Sequence, residues 1–172
     1  MVGKIIVRYL FSIFLIFIIF GCKNKSEEEN FVTEKIEASN FVLEITSPSV
    51  IKNGQMLKVE GKLTYVGDVP IELSHGEPII RFSFTGSDEH VYTDGGFITK
   101  IQTGQTIKVE EEFKVTKAGK QSLKARTTLI LVDGKPIKGI GNEEYIKNET
   151  NEELIELGNS KITSAPLIIN VK

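Results

Sequence analysis

The chain has 172 residues, 21 basic and 23 acidic, for a formal net charge of −2. It has no basic excess and no basic run interleaved with aromatics, which argues against a nucleic-acid-binding role. A single cysteine and no tryptophan leave no internal disulfide and no thiolate metal cluster, so the fold must rest on an aliphatic, Phe- and Tyr-based core.

In chain order, the first segment is an export signal. Lys4 and Arg8 give a positive start, Tyr9–Phe20 is apolar apart from Ser12, and Gly21 is a small residue beside a cut. The apolar run is about a dozen residues, against roughly 20 for a plain bilayer-spanning helix; a retained membrane helix reaching back to Ile5 is the alternative. Ile19-Phe20-Gly21-Cys22 resembles the lipobox of bacterial lipoproteins. That resemblance implies diacylglyceryl transfer to the sulfur of Cys22, removal of residues 1–21 as a signal peptide, and a location on the extracytoplasmic face of the cell membrane. Two acyl chains on one residue would meet the two-signal requirement for stable anchoring, at about 0.8 kcal/mol per buried methylene.

Residues 22–40 continue as KNKSEEENFVTEKIEASN after the cysteine, charged and weakly periodic, and read as a flexible tether. The alternative is a first strand beginning near Phe31 or Ile36. From Phe41 the pattern has period two: Phe41, Leu43 and Ile45, then Leu57, Val59, Leu63 and Tyr65 against Lys58, Glu60, Lys62 and Thr64. Gly61 falls on the greasy face, where a missing side chain marks a bulge or a close approach. Val69, Ile71 and Leu73 predict a short strand that Pro70 assigns to a sheet edge. Ile80, Phe82 and Phe84 predict the next.

Gly54-Gln55-Met56-Leu57-Lys58-Val59-Glu60 recurs as Gly104-Gln105-Thr106-Ile107-Lys108-Val109-Glu110. Turn and strand match in register, as expected of two hydrogen-bonded neighbours in one sheet. Glu111 then breaks the apolar face, which predicts a bulge or a sheet end because an unpaired buried carboxylate is costly. Leu123, Ala125, Thr127, Leu129 and Leu131 predict one long central strand with Asp133-Gly134 as its exit turn. The stretch 137–161 is long for a connection; Thr150-Asn151-Glu152-Glu153 resembles a capping box and predicts a short helix at about 151–157. Leu167, Ile169 and Val171 close the chain.

Seven or more short strands separated by turns predict an all-β antiparallel sandwich for residues 41–172, with a small barrel as the alternative. The tract Gly104–Leu131, with Phe113, Gly119, Leu123 and Ala125, resembles the E-turn-F segment of bacterial immunoglobulin-like domains, and Ser164-Ala165-Pro166-Leu167 resembles their last strand.

Candidate chemistry is sparse. No G-x-S-x-G, H-E-x-x-H, P-loop or G-x-G-x-x-G is present. His75 and His90 are expected to be exposed turn residues. A metal or hydrolase site would draw on Asp88, Glu89, His90 and Asp94 in the 86–96 loop. The preferred reading is a non-catalytic binding or protein-interaction module. Its contact residues would be Tyr92, Asp94 and Tyr145 on end loops, with no cofactor and no metal. The expected partners are the membrane, through lipidated Cys22, and a cell-envelope protein.

Overall fold

A computed structural model describes residues 30–88, 91–93, 95–140 and 159–172. The expected helix at 151–157 lies outside them. Twelve strands are formed among the described residues, and none of the helices there is long and apolar enough to cross a membrane. The front sheet has the order β1 (Phe31–Ala38), β2 (Phe41–Pro48), β4 (Met56–Tyr65), β8 (Thr106–Lys114). The back sheet has the order β3 (Val50–Ile51), β12 (Leu167–Val171), β9 (Gly119–Thr127), β6 (Ile80–Phe84). A side sheet has the order β11 (Lys135–Pro136), β10 (Ile130–Val132), β5 (Ile71–Gly76), β7 (Gly96–Ile101). All pairs are antiparallel except β3 with β12.

Front and back sheets pack face to face. Alternation along β2 and β4 puts Phe41, Leu43, Ile45, Leu57, Val59 and Leu63 into the core, against Ile80, Phe82, Leu123, Ala125 and Ile169. Phe84 of β6 and Phe113 of β8 meet across the layer with ring centroids 5.8 Å apart. The chain changes sheet at Ser49, between β2 in front and β3 behind, and the back sheet carries the last strand beside β9 and β6. This is the immunoglobulin-like sandwich expected from the strand pattern, with β2, β4 and β8 in front and β12, β9 and β6 behind.

The repeat at an offset of 50 forms neighbouring strands, as expected. β4 pairs with β8 from Met56↔Lys114 to Thr64↔Thr106, and Glu60 faces its own counterpart Glu110. The turns that feed the two strands also match. In each, a glutamine amide oxygen accepts the N–H three residues back: Gln55 from Lys52 and Gln105 from Gln102, both at 3.0 Å. In each, a glycine takes positive φ, 84° at Gly54 and 78° at Gly104. The Gly54 N–H donates to Val115 at the end of β8, and the Gly104 N–H to Tyr65 at the end of β4. The repeated motif thus encodes a local two-fold arrangement. On its outer face Glu60 bridges Lys62 at 2.6 Å and Lys108 at 2.5 Å; ion pairs this exposed add solubility more than stability.

Four expectations are corrected. The outer half of the predicted tether is strand β1, paired with β2 along its length from Phe31↔Pro48 to Ala38↔Phe41. Its outward Lys35 and Glu37 are charges an edge strand uses to resist further pairing, and they give the segment a linker-like composition. β5 is not an edge: it lies between β10 and β7, and Pro70 sits just before it, where it removes no ladder bond. The expected long strand 123–131 is two strands. β9 ends at Thr127, the chain steps aside at Thr128-Leu129, and β10 joins the side sheet against β5. The exit turn stands as expected, with Asp133 and Gly134 both at positive φ, 49° and 76°. His75, expected on an exposed turn, is a buried residue of β5 with 8% of its surface accessible.

Gly61 is a close approach and not a bulge. The register runs unbroken through Ile45↔Gly61 and Gly61↔Val109. A Cβ there would lie 2.9 Å from Phe82 Cζ and 3.1 Å from Ile80 Cδ1, so the missing side chain is what lets the two sheets meet.

Candidate functional site

The step from β9 to β10 separates the side sheet from the back sheet and leaves a cleft of about 770 Å³ between them. His75 of β5 and Phe97 and Ile98 of β7 form one wall, Arg81 of β6 and Arg126 of β9 the other, and Leu129 and Leu131 lie along it. Phe97 and Ile98 are 50% and 68% exposed, and β7 is the end strand of its sheet.

Arg81 and Arg126 are direct cross-strand partners. Ile80, Phe82 and Ala125 on either side of them are buried, so period two sends both guanidinium-bearing side chains to the outer face, into the cleft wall. Like charges directly opposite across a ladder disfavour the pairing. Arg81 lies over the Tyr92 ring, its Cζ 5.3 Å from the centroid. Lys161 adds a third cation to the lining.

His75 and Thr128 hold the cleft in shape. His75 Nδ1 lies 2.7 Å from the carbonyl of Gly76, which can only accept, so Nδ1 carries a proton. In the neutral ring Nε2 then accepts from the Thr99 hydroxyl at 3.1 Å. The imidazole also stacks on Phe97 with a centroid separation of 6.4 Å. The N–H of Gly76 is taken by the Thr128 hydroxyl at 3.0 Å, which fixes the corner where β9 gives way to β10.

Tyr92, from the loop that follows β6, lies beside Arg81. In the β6–β9 ladder Phe82 faces Ala125, and the backbone groups of Phe82 point away from β9 to the open edge of the sheet. The Phe82 N–H donates to the Tyr92 oxygen at 2.9 Å, and the Phe82 carbonyl lies 3.1 Å away on the same hydroxyl. The phenol proton is directed to Glu111 Oε2 at 2.5 Å. Burial first, and the Glu111 hydrogen bond second, push the Tyr92 phenol well above its ordinary range. Glu111 is therefore an inward residue of an unbroken strand, facing Val59, and neither a bulge nor a sheet end. The carboxylate at an apolar position was the legible signal that a polar group reaches in; nothing in the spacing identified Tyr92 as that group.

Of the expected contact residues, Tyr92 is thus placed with its hydroxyl inward and its ring half-buried beside Arg81. Asp94, Tyr145 and Cys22, the residue expected to carry lipid, lie outside the described residues, as do Glu89 and His90. Among the described residues no group of three or more His, Cys, Asp or Glu side chains could hold a metal ion. The cleft lining from β7, β9 and the β9–β10 corner was not expected from the sequence. The predicted single strand through 123–131 hid the corner that opens it.

No protein-family model matches the chain, and no curated protein matches it. Among solved structures the chain is similar to the CARDB domain of a Pyrococcus furiosus protein, crystallised in complex with di-metal ions. The identity is 15%, covering 80% of this chain and 91% of that one, with a TM-score of 0.41. The solution structure of the same domain gives 14% identity, 79% and 97% coverage and a TM-score of 0.39.

Proposed function

We propose that the chain is a lipid-anchored, extracytoplasmic and non-catalytic binding module. It is held at the cell membrane through Cys22 and uses the cleft between the side and back sheets to hold an acidic, partly apolar segment of a cell-envelope protein. The observation that carries this reading is the Arg81–Arg126 pair, two cations set directly opposite each other in the wall of an apolar-lipped cleft. An extended acidic peptide would lay carboxylates on the guanidinium groups, which favour bidentate geometry. Its apolar side chains would lie on Phe97, Ile98 and Leu129. The end strand β7 offers the backbone edge that extended peptides commonly join. Binding is favoured over hydrolysis because the proton-bearing nitrogen of His75 is bonded to a backbone carbonyl, and a catalytic imidazole of the serine-hydrolase kind is oriented by a carboxylate.

The test uses two labelled peptides of equal length, one alternating Asp and Leu, the other alternating Lys and Leu. The acidic peptide is expected to bind, and Arg126→Glu to weaken it by about tenfold or more with a melting temperature no lower than the parent's, because Glu opposite Arg81 replaces a like-charge pair. Equal binding of both peptides, or an unaltered affinity in Arg126→Glu, would refute the cleft as the recognition site.

A further inference from the structure

A second surface lies at the opposite pole of the sandwich. Phe31 of β1, Val50 of β3 and Met56 of β4 are 58%, 42% and 47% exposed. They come from three different strands and line one shallow groove of about 1070 Å³ with Pro48, Lys52 and Lys172. This is also where the chain comes in. Asn30 lines the same groove, and its carbonyl accepts both the N–H and the hydroxyl of Ser49, each at 2.8 Å. The first described residue is therefore pinned to this pole.

We infer that this pole rests on the lipid surface to which the chain is tethered, with Phe31, Val50 and Met56 at headgroup depth and Lys52 and Lys172 at the phosphates. The inference depends on the anchoring of Cys22 proposed above. Cys22 is eight residues before Asn30, a reach of at most about 28 Å when extended, so a lipid at residue 22 keeps this pole close to the bilayer. At that distance the tether supplies a high effective concentration, and a contact too weak to recruit the domain by itself still forms. Aromatic and apolar groups with a cationic rim are the composition of an interfacial contact. Glu27, Glu28 and Glu29 lie between anchor and patch and oppose a purely electrostatic attraction, which leaves apolar insertion as the main driving force.

The absence of tryptophan makes the experiment direct. Phe31→Trp and, separately, Val69→Trp are introduced into the full chain. The processed protein is purified from membranes and reconstituted into vesicles of phosphatidylcholine and phosphatidylglycerol carrying brominated acyl chains. Val69 is 63% exposed and lies beyond the far end of β4, about 30 Å from the patch, and serves as the control. Tryptophan at 31 is expected to shift to the blue and to be quenched roughly twofold or more beyond tryptophan at 69. Met56→Trp gives the same readout should the change at Phe31 disturb β1.

Lipid on residue 22, flotation with the vesicles and equal quenching at 31 and 69 would overturn the docking alone and leave the anchor standing. A bare residue 22 in a protein that does not float would overturn both. A blue shift that needs no vesicles and grows with protein concentration would assign the patch to a second copy of the chain, and would also overturn the proposal.

Discussion

Tyr92 and Glu111 are 19 residues apart in sequence and share a 2.5 Å hydrogen bond. The phenol closes the open edge of β6 at Phe82 and at the same time gives the inward carboxylate of β8 a donor. Tyr92→Phe keeps the ring and removes both functions, so it should cost about 1–3 kcal/mol at neutral pH. The pH dependence has a definite sign. Burial and Glu111 raise the phenol's folded pKa, so its contribution is complete below the ordinary value near 10 and is lost as pH climbs from there toward the raised value. Over that window the unfolded chain ionises first, and this one group can remove at most about 1.4 kcal/mol of stability per pH unit. Urea unfolding at pH 8 and pH 11 should therefore show a smaller alkaline loss in Tyr92→Phe than in the parent. Parallel losses in the two proteins would mean that the phenol is not the coupled group. The pattern-breaking Glu111 was legible in the sequence because a charge at an inward strand position demands a partner. The partner itself was not, since it arrives from a loop whose path no periodicity describes.

At the scale of elements, local pattern read true where a strand and its turn carried the whole message. The matched Gly-Gln turns and the strands that follow them identify β4 and β8 as neighbours, and the two strands pair. Alternation fails at Thr127–Leu131 because the buried set shifts by one residue at the corner: Thr127, Thr128 and Ile130 are buried, and Leu129 and Leu131 face the cleft instead of the core. β1 was misread for the opposite reason, since Glu34 interrupts its half-buried positions Val32 and Ile36 and dilutes the signal. Gly61 offers a test of how tightly front and back sheets meet. Gly61→Ala meets no left-handed backbone there, so its cost is steric, about 1–3 kcal/mol from the 2.9 Å approach to Phe82. Gly54→Ala has open space around it and a φ of 84°, so its cost is conformational, about 1 kcal/mol. Adding Phe82→Leu should recover part of the first loss and none of the second. A double-mutant cycle by thermal unfolding measures this, and zero coupling between 61 and 82 would show that the sheets relax apart without penalty.

Across the whole molecule, β9 relates the two surfaces to each other. Gly119 pairs with Val171, next to Lys172 at the pole where the chain comes in, and Arg126 lies seven residues further along the same strand, about 23 Å away. With the anchor and the apolar contact proposed above, the first pole would face the bilayer and the arginine cleft would face away from it. This division of labour makes a prediction about Cys22 that neither surface makes alone. Cys22→Ser removes the acyl acceptor and leaves every described residue unchanged, so the sandwich should fold as before and its cleft should keep its affinity for an acidic peptide. What should change is place. In cell fractionation the parent should stay with the membrane and leave it only in detergent. The variant should be released or mis-sorted, and intact mass should show residue 22 carrying lipid in the parent and none in the variant. If Cys22→Ser instead stayed fully membrane-bound with residues 1–21 uncut, the apolar leader would be a spanning helix, and the geometry of the two poles would have to be explained by a hydrophobic stem in place of a lipid.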